Sequence, residues 1–317
     1  MKPHTLPSCG SRHGSVWPCS AKTSAAGVIV AALLLGLSMP ALPQEPPADP
    51  AAALQAKHIE LQLQLRTNDF GEPLSLNSRE DSDQVAGNVH AEVSHPFADI
   101  AATFTSARAV CELLFLHLNV HACQPSTTAS DTMLTLTVGP KRAQAPGTRY
   151  RMDYVLRVET ATAAYLRVTL SAAQGPLLTR DYRIVFEAVP MDSRHSFVHL
   201  GYAYSYGTLA SIAMKTYLAT AGRSKIGFTV VGQSPDGEVQ YVRGERAALE
   251  RNVIRYYLAV RAYLGVTKGT AQEQMAARLR TWFALTERYA AQLHELELGE
   301  YLQEKHDDLA RDSGETP

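Results

Sequence analysis

Five consecutive segments between residues 133 and 206 alternate apolar and polar side chains, and this pattern limits the possible folds of the chain severely. Alternation with a period of two is typical of β-strands, because successive side chains point to opposite faces. The segments are MLTLTV (133–138), YRMDYVLRV (150–158), YLRVTL (165–170), DYRIVFEA (181–188) and SFVHLGYAYSY (196–206). The connections ETAT and AAQGPLLT have the length of hairpin loops, so neighbouring strands are expected to be antiparallel.

The region before these segments predicts two strands, a shorter return strand and a helical stretch. HIELQLQL (58–65) alternates strictly, which predicts a strand with its apolar side chains on one face: Ile59, Leu61, Leu63 and Leu65. After a turn, LSL (74–76) predicts the return strand, and QVAGNVHAEV (84–93) predicts a strand that ends before Pro96. Residues 98–118 have a helical pattern with a break near Ser106, and QPSTTASD (124–131) is predicted to be a loop.

The region after the five segments predicts helices and one hairpin. A helix is expected over 208–221, with Gly222 at its C-terminal cap. Two short strands flank the turn GQSPDG (232–237). Apolar side chains at helical spacing predict two longer helices, over 245–264 and over 271–298, and the polar residues 301–317 predict a frayed tail.

This order of elements resembles the START-like, helix-grip superfamily, also called SRPBCC. VHAEVSHPFADIAATFTSA looks like the strand, proline turn and helix that open such a domain, and GTLASIAMKTYLAT looks like the helix that follows its last strand. The resemblance covers about 84–221 and implies an α+β fold, in which a curved antiparallel sheet grips a long helix around an apolar cavity. The N-terminal strands and two C-terminal helices are additions to the family pattern. Members typically bind lipids, sterols, polyketides or other hydrophobic molecules, and some are enzymes.

Tyrosines occur in phase on the predicted strands. They are Tyr150, Tyr154, Tyr182, Tyr202, Tyr204 and Tyr206. Ligand pockets are lined mainly by apolar and aromatic side chains with a few polar anchors, so these residues are candidates for a ligand-binding wall. The alternative is an ordinary core-facing sheet surface, because aromatic residues favour strands in any case.

Two cysteines and two histidines lie close together in VCELLFLHLNVHAC (110–123). His117 and His121 would share one face of a continuous helix, as two metal ligands must, but Cys111 and Cys123 would lie off that face. A continuous helix would hold the two cysteines about 18 Å apart, whereas a helix that ends near Asn119 would let the chain fold back. We therefore expect a Cys111–Cys123 disulfide, with buried free thiols and a metal site as the alternatives.

The densest group of polar side chains on a predicted helix lies on the first C-terminal helix, in RGERAALERNVIRYYLAVRAYL. Arg251 and Arg255 are like charges four residues apart, which usually requires acidic partners or an anionic ligand. One interpretation is pairing between the two C-terminal helices, through acids such as Glu287 and Glu295. The other is recognition of an anionic headgroup at the cavity mouth by Lys225, Arg251 and Arg255.

The N-terminal region has the order of a secretory signal. Basic residues precede the apolar run AAGVIVAALLLGLSMPALP, and a proline-rich segment follows it. We expect a signal peptide over 1–43, or an uncleaved inner-membrane anchor as the alternative, and a tether over 44–56. A single α+β domain is then expected over 57–300, with its C-terminal helical extension over 245–298. The mature protein is expected in the periplasm of a Gram-negative bacterium, where a disulfide would persist.

Several function classes lack support in the sequence. The net charge is −1 without a cluster of Lys and Arg, so no nucleic-acid partner is predicted. Hydrolase and phosphate-binding motifs are absent, and no cofactor or metal is predicted. The sequence favours an exported protein that binds a hydrophobic or amphipathic small molecule. An envelope scaffold that binds protein partners and an enzyme acting on a hydrophobic substrate are the alternatives.

Overall fold

An eight-stranded antiparallel sheet dominates the computed structural model, which describes residues 49–128, 131–140, 149–207 and 225–312. Its strands are β1 (Leu74–Glu80), β2 (Gln84–Val93), β3 (Val120–Thr127), β4 (Thr132–Val138), β5 (Tyr150–Ala161), β6 (Leu166–Gln174), β7 (Thr179–Pro190) and β8 (Ser196–Tyr206). Their order in the curved sheet is β1-β2-β8-β7-β6-β5-β4-β3, so β3 to β8 form a meander and β8 closes against β2. The five alternating segments are thus confirmed as strands β4 to β8.

The described helices are α1 (Pro50–Arg66), α2 (Phe97–Phe104), α3 (Ala107–Phe115), α4 (Gly244–Gly265), α5 (Ala271–Glu287), α6 (Ala290–Leu293) and α7 (Leu298–Asp312). Ser106 caps the N-terminus of α3, where its side chain accepts a hydrogen bond from the Ala109 N–H, and this confirms the predicted break. A small hairpin of β9 (Val230–Gln233) and β10 (Val239–Tyr241) precedes α4, as the turn sequence predicts.

The long helix α4 lies across the inner face of the sheet, against β1, β2 and β8. Gly87 on β2 makes this close approach possible, because a Cβ atom there would lie 3.1 Å from the Leu249 side chain. The apolar side chains of α4 and of the inner sheet face form one continuous core. The α+β, START-like fold class is therefore confirmed: a curved antiparallel sheet grips a long helix.

A long helix packs on the inner face of the sheet, as the resemblance implies. The segment expected as a helix over 208–221 lies outside the described residues, as do the expected signal segment over 1–43 and the last residues of the tail. In the described part of the chain, α4 takes the gripping position.

The predicted strand over 58–65 is wrong, and so is the tether where it reaches beyond Asp49. These residues belong to α1, which Asp49 caps and Pro50 opens. Leu61 and Leu65 lie on the buried side of the helix, whereas Ile59 and Leu63 are 70% and 76% exposed. The four alternating apolar residues therefore do not share a face. The segment is rich in Ala, Gln, Leu and Glu, and this helix propensity outweighs eight residues of alternation.

Helix α1 covers the outer face of the sheet, opposite α4. A second apolar cluster, which includes Leu54, Leu61, Leu65 and Phe197, forms between α1 and the strands. His58 on α1 pairs with Glu92 on β2 at 2.7 Å. The sheet is therefore buried on both faces where α1 and α4 overlie it.

Two further expectations are wrong at the ends of elements. The first half of the predicted loop over 124–131, residues 124–127, belongs to β3. This edge strand tolerates Pro125 because no further strand needs its missing N–H. The last long helix ends at Glu287, and the predicted polar tail forms α7, in which Tyr301, Lys305 and Asp308 are buried. The buried face of this helix combines the aromatic Tyr301 with the charged Lys305 and Asp308.

Candidate functional site

The inner face of the sheet brings the predicted tyrosines together. Tyr154 lies on β5, Tyr182 on β7, and Tyr202, Tyr204 and Tyr206 on β8; all five are buried. The Tyr182 and Tyr204 rings stack with centroids 5.2 Å apart, and Tyr202 lies 5.9 Å from Tyr204 and 6.2 Å from Tyr182. Tyr150, at the start of β5, is half-buried at the margin of the same core.

Ala172 on β6 lies between the tyrosines of β5 and β7. It is directly opposite Tyr182 in the sheet register. Because Ser171 is opposite Val155, Ala172 is also the neighbour of Tyr154. Its methyl group is much shorter than the two phenol side chains, so the inner surface of the sheet is depressed at Ala172.

Helix α4 adds an aromatic residue that the sequence analysis missed. The Tyr256 ring makes an edge-to-face contact with Tyr202 at 5.6 Å. The Tyr256 side chain is half-buried. Helical spacing placed this residue beside the apolar stripe of α4, but no sequence pattern connected it with the tyrosines of the strands.

Three tyrosine hydroxyls at one end of this cluster have hydrogen-bond partners. The Tyr182 hydroxyl lies 2.7 Å from Thr179 Oγ1, and Tyr204 donates to Glu245 Oε2 at 3.3 Å. Tyr206 donates to Glu80 Oε1 at 3.2 Å. Burial, together with the negative charge of Glu245, raises the pKa of Tyr182 to about 12, so its hydroxyl stays protonated at neutral pH.

The hydroxyls of three further tyrosines differ in their hydrogen bonding. In the described part of the chain, no hydrogen bond involves the hydroxyl of Tyr154, Tyr202 or Tyr256. Burial and the neighbouring phenols raise the pKa of all three well above the usual value, so each remains a neutral hydrogen-bond donor. We call Tyr154, Tyr182, Tyr202 and Tyr256 the phenol cluster.

His117 borders the phenol cluster from the turn after α3. Its ring stacks on Tyr256 with centroids 4.8 Å apart, and its Nδ1 atom accepts the Asn119 N–H at 3.1 Å. Burial, with the nearby cations Arg255 and Lys305, holds the pKa of His117 well below its usual range. The imidazole is therefore neutral and carries its proton on Nε2, beside the Asn252 side chain.

The cationic residues predicted for an anionic headgroup are mainly used in ion pairs. Lys225 and Arg255 both pair with Glu295, Arg255 at 3.2 Å, and Arg255 also donates to the Leu293 carbonyl at 3.0 Å. Arg251 is buried on α4. The structure thus brings Lys225 and Arg255 together around an acid from the segment after α6, which is the pairing alternative that the sequence left open.

Glu250 on α4 is completely buried and holds the β9–β10 hairpin in place. It accepts hydrogen bonds from the Phe228 N–H at 2.6 Å, the Thr229 N–H at 2.9 Å and the Thr229 hydroxyl at 2.6 Å, and another from the Ser78 hydroxyl. Arg246, one turn earlier on α4, lies 3.6 Å away. This carboxylate therefore has a structural role in joining the hairpin and β1 to α4.

The two cysteines form the expected disulfide. Cys111 on α3 and Cys123 on β3 are joined, with their Cα atoms 5.2 Å apart. The helix ends at Phe115, so the chain folds back and His117 and His121 do not share a helix face. Within the described ranges, no group of three or more His, Cys, Asp or Glu side chains is placed to hold a metal ion.

Helix α7 closes over this disulfide-linked corner through buried polar contacts. Asp308 accepts from His121 at 2.8 Å and from Arg149 at 3.0 Å. Lys305 donates to the carbonyls of His117 at 2.9 Å and Val120 at 2.5 Å, and burial lowers its pKa to about 7. The turn that carries His117 is therefore fixed from both sides, by the disulfide and by α7.

A cleft of about 520 Å³ lies elsewhere, at the β1 edge of the sheet. Phe70, Phe228 and Tyr289 line it, with ring centroids 5.4 to 5.8 Å apart. It opens between the end of α1, the hairpin and the α5–α6 connection. None of the predicted site residues lines this cleft.

Among the described residues, no helix is both long and apolar enough to span a membrane.

Comparisons with known proteins found similarity to solved structures of low sequence identity. No protein-family model matches it, and no curated protein matches it. It is similar to a StAR-related lipid transfer protein from Xanthomonas axonopodis, with 14% identity, a TM-score of 0.33, and coverage of 49% of this chain and 89% of that chain. Human StAR-related lipid transfer protein 5 is 11% identical, with a TM-score of 0.30 and coverage of 53% and 89%.

A plant enzyme is similar to the same extent. Norcoclaurine synthase from Thalictrum flavum, in complex with dopamine and hydroxybenzaldehyde, is 15% identical, with a TM-score of 0.32 and coverage of 45% of this chain and 82% of that chain. The element order and the sheet topology of the present chain are those that its resemblance to START-like proteins implies.

Proposed function

We propose that this protein binds a hydrophobic or amphipathic small molecule between the inner face of the sheet and α4. The phenol cluster carries this proposal, because it combines an apolar aromatic wall with three hydroxyl groups, those of Tyr154, Tyr202 and Tyr256, that have no hydrogen-bond partner in the described chain. Binding would bury apolar ligand surface at about 25 cal/mol per Å², and a polar anchor would orient the molecule. START-like folds generally hold small hydrophobic ligands, which agrees with this function.

Export to the periplasm is part of the same proposal. The basic and then apolar order of residues 1–43 supports a secretory signal, and the Cys111–Cys123 disulfide is consistent with an oxidising compartment. A protein there would carry a lipid-like molecule through an aqueous space. Fractionation of the source cells, with the disulfide trapped by alkylation, tests this location; a cytoplasmic and reduced protein would contradict it.

The binding function is tested by the molecules that co-purify with the protein. Protein purified without denaturation is extracted with solvent, and the extract is compared by mass spectrometry with that of Ala172→Phe. This variant adds an aromatic ring to the inner sheet surface between Tyr154 and Tyr182. Its matched control is Ser171→Phe, which adds the same ring to the neighbouring, exposed position on the opposite face.

A compound present in near-stoichiometric amounts in the wild type and in Ser171→Phe, and lost in Ala172→Phe, is expected. Near-UV circular dichroism of each variant confirms that the core is still packed. A compound retained equally by all three proteins, or an extract without any bound molecule and no binding of added apolar compounds, would contradict the proposal.

A second candidate is an envelope protein that binds a protein partner. Ile59 and Leu63 are one helical turn apart on α1, and both are largely exposed, which favours a contact surface on this helix. Cross-linking in cells, compared between the wild type and Ile59→Asp/Leu63→Asp, tests it. Unchanged cross-links would exclude α1 as the contact surface.

A further inference from the structure

The cleft at the β1 edge has an aromatic wall made by three separate parts of the chain. Phe70 lies on the turn after α1, Phe228 lies just before β9, and Tyr289 lies between α5 and α6. The Phe70 and Phe228 rings stack at 5.4 Å, and the Tyr289 ring meets each of them edge-on at 5.8 Å. All three side chains are only half-buried, so they present aromatic surface to the cleft.

Buried carboxylates hold this wall in position. The Tyr289 hydroxyl donates to Glu72 Oε1 at 2.7 Å and also lies 3.0 Å from the carbonyl oxygen of Phe70. Glu250 accepts a hydrogen bond from the Phe228 N–H at 2.6 Å. Groups that are already fixed lose little conformational entropy when a ligand binds, so the wall is preorganised for binding.

Arg288 adds a positive charge to the aromatic wall. Its guanidinium group lies 5.7 Å from the centre of the Tyr289 ring, and its side chain is 43% exposed. Its ion-pair partner Glu72 is 3.9 Å away and is shared with Arg261, which lies closer to that carboxylate. In the described part of the chain, no hydrogen bond involves the Arg288 side chain, so its N–H donors are available to a ligand.

The charges at the wall favour an anion. Burial and the charge of Arg288 lower the pKa of Arg261, as expected where two guanidinium groups face one carboxylate. Arg261 and Arg288 together with Glu72 leave one positive charge beside the rings. Asp69, on the turn after α1, also lines the cleft, but it is exposed and its charge is therefore screened by water.

We propose that this cleft is a second ligand site, separate from the phenol cluster, and that it binds a small organic acid. The apolar body of the acid packs on Phe70, Phe228 and Tyr289, and its carboxylate pairs with Arg288. The volume of about 520 Å³ is within the range of pockets that hold small molecules. A guanidinium group can donate two parallel hydrogen bonds to a carboxylate, which would orient the acid in the cleft.

The charge is tested with 2-naphthoate and with 2-naphthamide, its uncharged counterpart, by calorimetry. 2-Naphthoate is expected to bind the wild type saturably, and Arg288→Gln should weaken it about tenfold or more, because a charge-assisted hydrogen bond is lost. The affinity of 2-naphthamide should be equal in the two proteins. The matched control is Arg280→Gln, an exposed arginine of α5 outside the cleft lining, which should bind both probes as the wild type does.

The location is tested by filling the cleft. Ala290 lines the cleft and is exposed, so Ala290→Trp should occupy the space without disturbing the core and should abolish 2-naphthoate binding. Its control is Ala284→Trp, which adds the same ring at an exposed position of α5 outside the lining and should leave the affinity unchanged. Ala172→Phe, which changes the phenol cluster instead, is measured beside them.

Equal affinities of Arg288→Gln and Arg280→Gln for 2-naphthoate would overturn the pairing with Arg288. Full affinity in Ala290→Trp would place the acid outside the cleft and overturn the second site, and a loss in Ala172→Phe would then locate it at the phenol cluster. No saturable binding of 2-naphthoate at millimolar concentrations would overturn the whole inference. The binding function of the phenol cluster would stand in each case, because the solvent extract tests it separately.

Discussion

Removal of the Cys111–Cys123 disulfide should destabilise the domain by an amount that the chain length predicts. The two cysteines are 12 positions apart, so the bond closes a loop of about 13 residues. The chain-entropy relation gives a loss of about 10 cal/mol/K for such a loop, which is about 3 kcal/mol at 25 °C. The double variant Cys111→Ala/Cys123→Ala should lose about this much free energy of unfolding.

Urea denaturation followed by tryptophan fluorescence measures the effect. For a domain of this size the dependence of the unfolding free energy on urea is about 3 kcal/mol/M, so the midpoint should fall by about 1 M. Reduction of the wild type should produce the same shift, and reductant should have no effect on the double variant. A midpoint that moves by less than about 0.2 M in both cases would refute the reasoning, since the loop would then be held by α7 alone.

Two further substitutions test the buried polar contacts. Burial opposes ionisation of Asp308, but the bond from His121 and the cations around it hold its pKa below the usual value, so this carboxylate stabilises the fold above about pH 4 and loses that effect as the pH falls. Asp308→Asn should lose about 3 kcal/mol at pH 7 and show a flatter dependence of the urea midpoint on acid pH; curves parallel to the wild type would contradict this account. Gly227→Ala should cost about 1–3 kcal/mol, because its Cβ would lie 2.5 Å from Glu250 Oε2, whereas the open Gly232→Ala should be neutral by the same measurement.

The sheet could be predicted well from the sequence because its inner face is apolar and its connections are short. Strands β4 to β8 follow the alternation directly, and the tyrosines in phase on β5, β7 and β8 do lie on one face. Alternation failed for residues 58–65, where leucine, glutamine and glutamate favour a helix and only two of the four alternating apolar residues are buried. A short alternating run does not by itself distinguish a strand from a helix, and the helix cap at Asp49 was needed as a second signal.

The remaining parts could not be predicted because they depend on contacts between distant residues. The buried face of α7 includes two charged residues, and Lys305 and Asp308 are recognisable as buried only when His121 and the carbonyl of Val120 are placed beside them. Tyr256 joins the phenol cluster through the crossing of α4 over the sheet, a relation that local periodicity does not contain. The charges of Arg255 and Lys225 were noticed, but their common partner Glu295 is separated from them by 40 and 70 residues.

The phenol cluster as the ligand-binding site is tested most directly by NMR of protein labelled with ¹³C at the Cζ atom of its 14 tyrosines. The signals of Tyr154, Tyr202, Tyr256 and Tyr257 are assigned by replacing each of these residues in turn with phenylalanine. They are then followed while 2-acetylnaphthalene, an apolar probe with one carbonyl group, is added. The account predicts that the first three signals move together and saturate at one equivalent, while that of Tyr257 stays in place. Saturable binding that leaves the three cluster signals unmoved would contradict it and would place the ligand elsewhere, for example in the cleft lined by Phe70, Phe228 and Tyr289.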